Sequence, residues 1–257
     1  MNWREKYIAL ETIVRREVTR FTRIWSQTLL PPVITQSLYF IIFGKFIGSQ
    51  LSSIQGLTYM SFIVPGLVMM AVINSSYSNV VSSFFSSKFQ RSIEEVMVSP
   101  TPDWVVILGY VLGGILRGVL VGIIVFAVSC FFAQPQIAHP GIILLFTLLT
   151  SVIFCLGGLL NGILARNFDE VAIFQAFVLT PLTYLGGVFY SIEYFSPFWR
   201  IAAKFNPILY MIDGFRFGFY DFSDVPVGIS TAISLSLIVG LTIVNLYLLR
   251  KGVGLRN

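Results

Sequence analysis

The side chains that most often bind metal ions or attack substrates are scarce in this sequence. It contains one histidine, His139, and two cysteines, Cys130 and Cys155. A structural zinc site needs about four ligands of these types, so we expect no metal site, and His139 is expected to be a solvated turn residue. Gly44 and Lys45 lack both the earlier glycine and the following Ser or Thr of a phosphate-binding loop. The sequence therefore predicts no catalytic residue, no cofactor and no ATP hydrolysis by this chain.

The composition of the chain places it in a membrane. Of its 257 residues, 56% are hydrophobic and 11% are charged, whereas soluble domains have about 25% charged residues. So few polar residues cannot coat a soluble globule, which excludes a soluble enzyme, a disordered protein and a secreted disulfide scaffold. The net charge of +5 is better explained by membrane topology than by nucleic-acid binding, and no nucleic-acid partner is predicted.

The intervals between charged residues predict where the membrane-spanning helices lie. A spanning helix needs about 20 apolar residues to cross about 30 Å of hydrocarbon, and long runs such as Ile142–Thr150 do not alternate as the strands of a β-barrel would. We therefore predict an all-α integral membrane protein in which residues 25–257 form one transmembrane domain. Six spans are expected, at approximately 25–44, 59–81, 106–132, 141–164, 171–190 and 227–249.

The distribution of Lys and Arg predicts the orientation of these spans. Most of the basic residues lie in the N-terminal segment, in the loop between the second and third spans and in the C-terminal tail, which all fall on one side of a six-span protein. Basic residues accumulate on the cytoplasmic side of membrane proteins. Both termini of this multi-pass protein are therefore expected in the cytoplasm.

Residues 1–24 are predicted to form an amphipathic helix on the cytoplasmic surface of the membrane. Apolar residues recur every three or four positions, and basic residues are available to anionic lipid headgroups. The apolar positions are Trp3, Tyr7, Leu10, Val14, Val18, Phe21 and Trp25, and the basic positions are Arg15, Arg16, Arg20 and Arg23. A coiled coil is the alternative, which only about three heptads support.

Charge is nearly absent from the six predicted spans, since none contains Asp or Glu and Arg117 is the one exception. Arg117 either contacts an anionic substrate at the middle of the membrane or, if its helix begins later, reaches back to the cytoplasmic interface. Neutral polar residues in the spans either line a translocation path or form hydrogen bonds between helices. These residues are Gln36, Asn74, Ser75, Ser78, Asn79, Asn161, Gln175, Thr183 and Asn245.

A short charged helix is predicted between the second and third spans. Its apolar residues recur at helical spacing, its charges are mixed, and two prolines end it. The charged residues are Lys88, Arg91, Glu94 and Glu95, and the apolar residues are Phe89, Ile93, Val96 and Met97. The pattern is equally consistent with a solvated loop and with a docking element for a soluble partner.

Residues 189–222, on the opposite side of the membrane, are rich in aromatic rings and broken by Pro197, Pro207 and Gly214. Such a segment is too apolar for an aqueous loop and too interrupted to span. It predicts short helices that lie in, or dip into, the outer interface, where aromatic rings are favoured. Its candidate functional residues are Trp199, Asn206, Pro207, Tyr210 and Arg216.

Four motifs make the chain resemble the permease subunits of type-2 ABC exporters. They are Phe62–Gly66, Phe89–Pro100, Pro181–Tyr190 and Asn206–Arg216, in this order along the chain. The resemblance extends from about Val14 onward. It implies that Lys88–Val98 is the coupling helix that contacts an ATPase, that the N-terminal helix is the connecting helix, and that Ile192–Arg216 contains the outer re-entrant helices.

The resemblance also implies partners and a function. Two permease subunits, expected to be identical, would share a pathway and bind two copies of a separate ATPase subunit. The expected function is ATP-driven export by alternating access across the inner membrane of a bacterium. Two alternatives are a membrane scaffold that holds a soluble partner without transport and an ion-coupled carrier, which the absence of carboxylates from the spans disfavours.

Overall fold

The computed structural model describes residues 1–48, 56–192 and 196–254, and helices dominate these ranges. The prediction of an all-α fold is confirmed. The α-helices are α1 (Trp3–Arg23), α2 (Trp25–Thr28), α3 (Leu30–Tyr39), α4 (Tyr59–Phe89), α5 (Ser92–Val98), α6 (Asp103–Ser129), α7 (Pro140–Leu164), α8 (Phe168–Phe174), α9 (Thr180–Tyr184), α10 (Pro197–Lys204), α11 (Pro207–Tyr220) and α12 (Val227–Lys251). Two π-helical segments, Phe40–Ile47 and Gln175–Leu179, follow α3 and α8.

Four helices in the described ranges are long and apolar enough to cross a membrane, namely α4, α6, α7 and α12. They correspond to four of the six predicted spans. The other two predicted spans, 25–44 and 171–190, fall on composite segments built from short α-helices and the π-helical turns. Prolines occupy the first turns of α3 and α9, where a missing backbone N–H is tolerated, so these positions suit the start of a new helical piece within each composite segment. The count of six spans stays a prediction.

The segment between the second and third spans is helical, but its boundaries differ from the prediction. Helix α4 continues to Phe89, beyond the predicted end of the span at residue 81, so Lys88 and Phe89 belong to α4. Helix α5 begins only at Ser92, after Arg91 has turned the chain with a left-handed backbone at φ 61°. Ser99, which precedes Pro100, is extended, as expected of a residue before proline.

Helix α4 lies at the centre of the bundle and packs against α6 and α7. Small residues make this close approach possible, because a Cβ atom at Gly118 of α6 would collide with the Ser76 hydroxyl. A Cβ at Gly158 of α7 would lie 2.6 Å from the carbonyl oxygen of Tyr77. Such contacts supply much of the packing energy in lipid. Gly118 and Gly158 therefore lie at the packed contacts of α4 with α6 and α7.

The two ends of the bundle contain different short helices. One end contains α1, α5 and the C-terminus of α12 and is called the α5 end, and the other contains α10 and α11 and is called the α11 end. Buried apolar side chains form one core near each end: Val80, Phe84, Ile107, Leu156 and Leu159 lie towards the α5 end, and Phe62, Leu67, Phe146, Ile212 and Phe215 towards the α11 end.

Helix α1 extends over Trp3–Arg23 in this structure, and a capping box between Asn2 and Glu5 begins it. The side of α1 that packs on α6 differs from the predicted apolar stripe. Ile13 and Glu17, which lie outside the stripe, face Gly109 and Gly113 of α6. Within the stripe, Phe21 is buried at 3% exposure, whereas Trp3 is 75% exposed. Because both glycines lack a side chain, α6 admits the carboxylate-bearing Glu17 at this position.

Candidate coupling surface and interior polar sites

The α5 surface, defined as Phe89, Arg91, Glu94, Glu95 and Val98, projects from one end of the bundle. Phe89 is 66% exposed and Val98 is 88% exposed. Arg91, Glu94 and Glu95 are also exposed, and none of the three forms an ion pair or side-chain hydrogen bond with a described residue. Exposed apolar groups beside unpaired charges are the composition expected of a docking surface.

Ile93 connects the α5 surface to the bundle. Its side chain is 1% exposed and belongs to the core at the α5 end, together with Phe84, Val106 and Leu159. These partners belong to α4, α6 and α7. Ile93 therefore places α5 in the same apolar core as three long helices.

Lys88 has a different position from the other predicted coupling residues. Its Nζ donates hydrogen bonds to the carbonyl oxygens of Ile163, at 2.8 Å, and Ala165, at 2.6 Å. These carbonyls lie at the C-terminal end of α7, where the helix leaves acceptors unpaired and its dipole favours a positive charge. In this structure Lys88 ties the end of α4 to the end of α7.

Glu17 of α1 is a polar centre that sequence reasoning missed. Its side chain is completely buried. Oε1 accepts a hydrogen bond of 2.6 Å from the Ser83 hydroxyl of α4, and Oε2 lies 3.2 Å from Arg20 Nη2. Arg16 Nη2 lies 3.5 Å from Oε1. One signal in the sequence could have revealed this polar centre. Glu17 is the one carboxylate among the clustered arginines of α1, and it lies three residues before Arg20.

The two arginines beside Glu17 extend this network to α4 and α6. Arg20 donates to the carbonyl and the side-chain oxygen of Asn79, at 2.8 and 2.9 Å. Arg16 donates to the Tyr110 hydroxyl at 2.7 Å. Asn79, predicted as a candidate for the translocation path, is thus a fixed partner of α1. The network holds α1 against both long helices at the α5 end.

Arg117 is buried inside the bundle, and its Nη2 donates to the carbonyl oxygen of Thr28 at 3.2 Å. Helix α6 begins at Asp103, earlier than the predicted residue 106. Its start therefore lies about 21 Å from Arg117 at 1.5 Å per residue. One interpretation required α6 to begin later, so that Arg117 could reach the cytoplasmic interface, and it is wrong about the start of the helix. Arg117 instead forms a hydrogen bond with the backbone at the end of α2.

The other polar residues of the predicted path fall into three groups. Asn161 and Gln175 make hydrogen bonds between helices, with the Tyr77 hydroxyl at 2.5 Å and the Ser78 hydroxyl at 3.2 Å. A second group donates to backbone carbonyls: Asn74 to Met70, Thr183 to Leu179, and Asn245 to Leu156 and Leu241. In the third group, the buried Gln36 Oε1 and Ser75 Oγ have no hydrogen-bond partner among the described residues.

The segment at the α11 end contains the short helices that the aromatic-rich sequence predicted. Trp199 in α10 is exposed, Asn206 caps α11, and Pro207 is its first residue. The Tyr210 hydroxyl donates to the carbonyl of Lys204 at 2.7 Å. These contacts identify two separate helical pieces of 8 and 14 residues.

Arg216 and Asp213 of α11 are both buried at 1% exposure. Arg216 donates to the carbonyl of Gly187 at 2.5 Å, and its guanidinium lies 4.1 Å from the centroid of the Phe62 ring. The Asp213 carboxylate accepts the backbone N–H groups of Asp224, at 2.8 Å, and Val225, at 2.9 Å. Burial raises the pKa of Asp213 to about 6, although these hydrogen bonds and Arg216 favour the ionised form.

An apolar helical bundle whose described ranges contain four helices long enough to cross a membrane has the architecture of an integral membrane protein. The chain belongs to the ABC-2 type transporter family, whose model matches residues 8–220. It is a membrane transport permease of that family, and the resemblance stated from the motifs is confirmed. The family implies an ABC transporter with an ATPase partner.

Comparison with individual proteins gives the same class. The chain is 51% identical over 251 residues to the inner membrane transport permease YadH of Escherichia coli strain K12, which covers 98% of both proteins. The permease of the same name from Shigella flexneri matches to the same extent. Nodulation protein J of Neorhizobium galegae is 22% identical over 205 residues, covering 79% of this chain and 78% of that protein.

Proposed function

We propose that this chain is the membrane-spanning subunit of an ATP-driven exporter. Two copies of the chain form one pathway, and two copies of a separate ATPase subunit bind at the α5 end and hydrolyse ATP. The observation that carries this proposal is the α5 surface, where Arg91, Glu94 and Glu95 are exposed and unpaired on a helix anchored by buried Ile93. The name of the Escherichia coli relative supports the inner membrane as the location.

The proposed topology places both termini and the α5 end in the cytoplasm. Six spans are formed by the four long helices and by the two composite segments, 25–44 and 171–190. Lys and Arg are concentrated in the N-terminal segment, near α5 and in the C-terminal tail, which supports this orientation. In a cell, a reporter that is active only in the cytoplasm, fused after Asn257, should be active. Activity of only an external reporter at that position would contradict the topology.

The proposed coupling mechanism follows from how α5 is connected. ATP-driven closure of the ATPase pair displaces α5, and Ile93 transfers that displacement to α4, α6 and α7. The Lys88 bonds to the end of α7 keep α4 and α7 together during this movement. Coupling between the ATP sites and the pathway then requires only that the two states of the bundle differ in their contacts with α5.

Alternating access requires that polar contacts in the bundle change partners. The cross-helix bonds of Asn161 and Gln175 join α7, the second π-helical segment and α4. Buried Gln36 and Ser75 each have an atom that lacks a partner in the described part of the chain. These residues are proposed to line the pathway, because a second conformation or a polar substrate would give them partners.

Charge reversal on the α5 surface tests the proposed docking. Glu94→Lys with Glu95→Lys, reconstituted with the partner ATPase, should abolish transport and uncouple ATP hydrolysis from substrate. The variant should remain folded in the membrane, because both side chains are exposed and make no side-chain hydrogen bond or ion pair in the described ranges. Asp169→Lys, a reversal at an exposed carboxylate of α8, is the control and should retain coupling.

The results of this experiment separate the possible functions. Normal transport by the Glu94/Glu95 variant would contradict the coupling assignment. Stable binding of the ATPase to the unaltered chain without any substrate-stimulated hydrolysis would instead identify a scaffold.

A further inference from the structure

An open cavity of about 910 Å³ lies at the α5 end, between α1, the last turns of α4 and the first residue of α5. Its size is within the range of sites that bind small molecules, about 300–1,000 Å³. Four arginines line it, Arg15, Arg16, Arg20 and Arg23, against one carboxylate in the lining, that of Glu11. The cavity is therefore strongly cationic.

The four arginines differ in how firmly they are held. Arg16 and Arg20 are fixed by the Glu17 network, with bonds to Tyr110 and Asn79. Arg15 and Arg23 are exposed, and neither makes a side-chain hydrogen bond or ion pair with any described residue. A guanidinium presents several N–H donors in a planar fork that matches the oxygens of a phosphate group. The site thus combines two positioned guanidinium groups with two that are available.

The buried carboxylate beneath the cavity does not cancel this charge for a ligand. Glu17 is completely buried and already accepts from Ser83 and Arg20. The cavity wall also contains hydroxyl-bearing residues, such as Thr19 and Ser86, and the apolar residues Ile8 and Ile24. An anionic group on an amphiphilic or small polar molecule fits these chemical features.

We propose that this cavity binds a phosphate group, carried either by an anionic lipid or by a soluble phosphate ester. Arg15 and Arg23 would contact the phosphate oxygens, while the Glu17 network keeps Arg16 and Arg20 in the wall. The ligand would hold α1 in place beside α4 and α5, the same elements that the proposed coupling mechanism uses. The proposal itself concerns binding by this chain, without the ATPase, and goes beyond its transport function.

The test compares two probes on the purified full chain in nanodiscs. The first is phosphatidylglycerol added to phosphatidylcholine nanodiscs, and the second is glycerol 3-phosphate added to nanodiscs of phosphatidylcholine alone. Binding is read from the shift of the thermal unfolding midpoint, because a ligand that binds only the folded protein stabilises it. A shift with the first probe alone identifies a lipid phosphate, and a shift with the second identifies a soluble phosphate ester.

Paired variants separate a site from general attraction to a basic helix. Arg15→Gln with Arg23→Gln removes the two available guanidinium groups, and Arg4→Gln with Lys6→Gln removes the same charge from α1 outside the cavity lining. A hydrogen bond to a charged group contributes about tenfold or more in affinity. The cavity variant should therefore bind at least about tenfold more weakly than the control variant.

Three outcomes decide the proposal. A selective loss in the Arg15/Arg23 variant supports it, provided that the variant without probe unfolds at the unaltered midpoint. An equal loss in both variants would show attraction to the helix as a whole and would overturn it. Failure of both probes to shift the midpoint of the unaltered chain would overturn it as well, and would leave the proposed ATPase docking untouched.

Discussion

Replacing Glu17 by glutamine tests whether one buried carboxylate fixes α1 to the bundle. The change preserves the shape of the side chain, removes its charge and converts one oxygen into an amide donor. The Ser83 hydroxyl, at 2.6 Å, retains an acceptor in Glu17→Gln. Arg20 Nη2, at 3.2 Å, would face an NH₂ group instead of an oxygen. The variant therefore loses one charge-assisted hydrogen bond and gains an unfavourable contact between two donors.

The expected size of the effect follows from the exposure of the partners. A hydrogen bond to a charged group contributes about 1.5–3 kcal/mol, and breaking a fully buried ion pair costs about 3–5 kcal/mol. The Arg16 and Arg20 side chains are 43% and 30% exposed, so water solvates them in the variant and the loss of stability is smaller. Arg20 also keeps Asn79. We expect a loss of about 2 kcal/mol of unfolding free energy, which lowers the Tm by about 4–8 °C.

Thermal and SDS-driven unfolding of the purified chain measure this loss, and amide exchange along α1 shows where the structure loosens. The matched control is Glu11→Gln, which removes the same charge from an exposed position of α1. Surface substitutions usually change stability by less than about 0.5 kcal/mol. If the two variants unfold at the same midpoint, the Glu17 network does not stabilise the fold and the reasoning is wrong.

Three further substitutions test other contacts by unfolding titrations. Lys88→Met leaves two carbonyls at the end of α7 without their donor and should lower the unfolding free energy by about 1–3 kcal/mol. Gly158→Ala forces a Cβ towards Tyr77 O and should cost about 1–3 kcal/mol, whereas Gly157→Ala, which points into open space, should cost nothing. Relative to Asp213→Asn, the unaltered chain should lose about 2 kcal/mol between pH 4 and pH 7, since the pKa of Asp213 is raised from 3.8 to about 6 and the stabilisation present below 3.8 disappears as Asp213 ionises. An unchanged difference across that range would contradict the Asp213 assignment.

The sequence predicted the parts of the fold that lipid itself dictates. Long uncharged runs must satisfy their backbone internally, so α4, α6, α7 and α12 could be recognised from spacing alone. The short α5 and the broken segment at the α11 end were also predictable, because proline, glycine and mixed charge interrupt apolar periodicity. Local composition decides these features, and no knowledge of distant contacts is needed.

Contacts between distant residues set the features that the sequence did not predict. The sequence predicts Lys88 as a coupling residue, because its contact with the end of α7, 75 residues further along the chain, is visible only in the structure. In the sequence, Glu17 is indistinguishable from a solvated charge, because its hydrogen-bond partner Ser83 is 66 residues away. Its burial also depends on Gly113 of α6. Helical periodicity indicates which face of a helix is apolar. It does not indicate where a neighbouring helix has a glycine that leaves room for a side chain on that face.

The central position of α4 has a consequence for how the protein enters the membrane during synthesis. Within its most apolar stretch 83% of residues are buried by other helices, against 11% for α12. Helix α4 is synthesised before α6 and α7, so Ser76 initially lacks the α6 glycines, Gly114 and Gly118, that pack against it in the folded bundle. We therefore expect α4 to reach its final packing only after α6 and α7 have been made. Helix α12 partitions into lipid without such a delay, as the last long helix to be made.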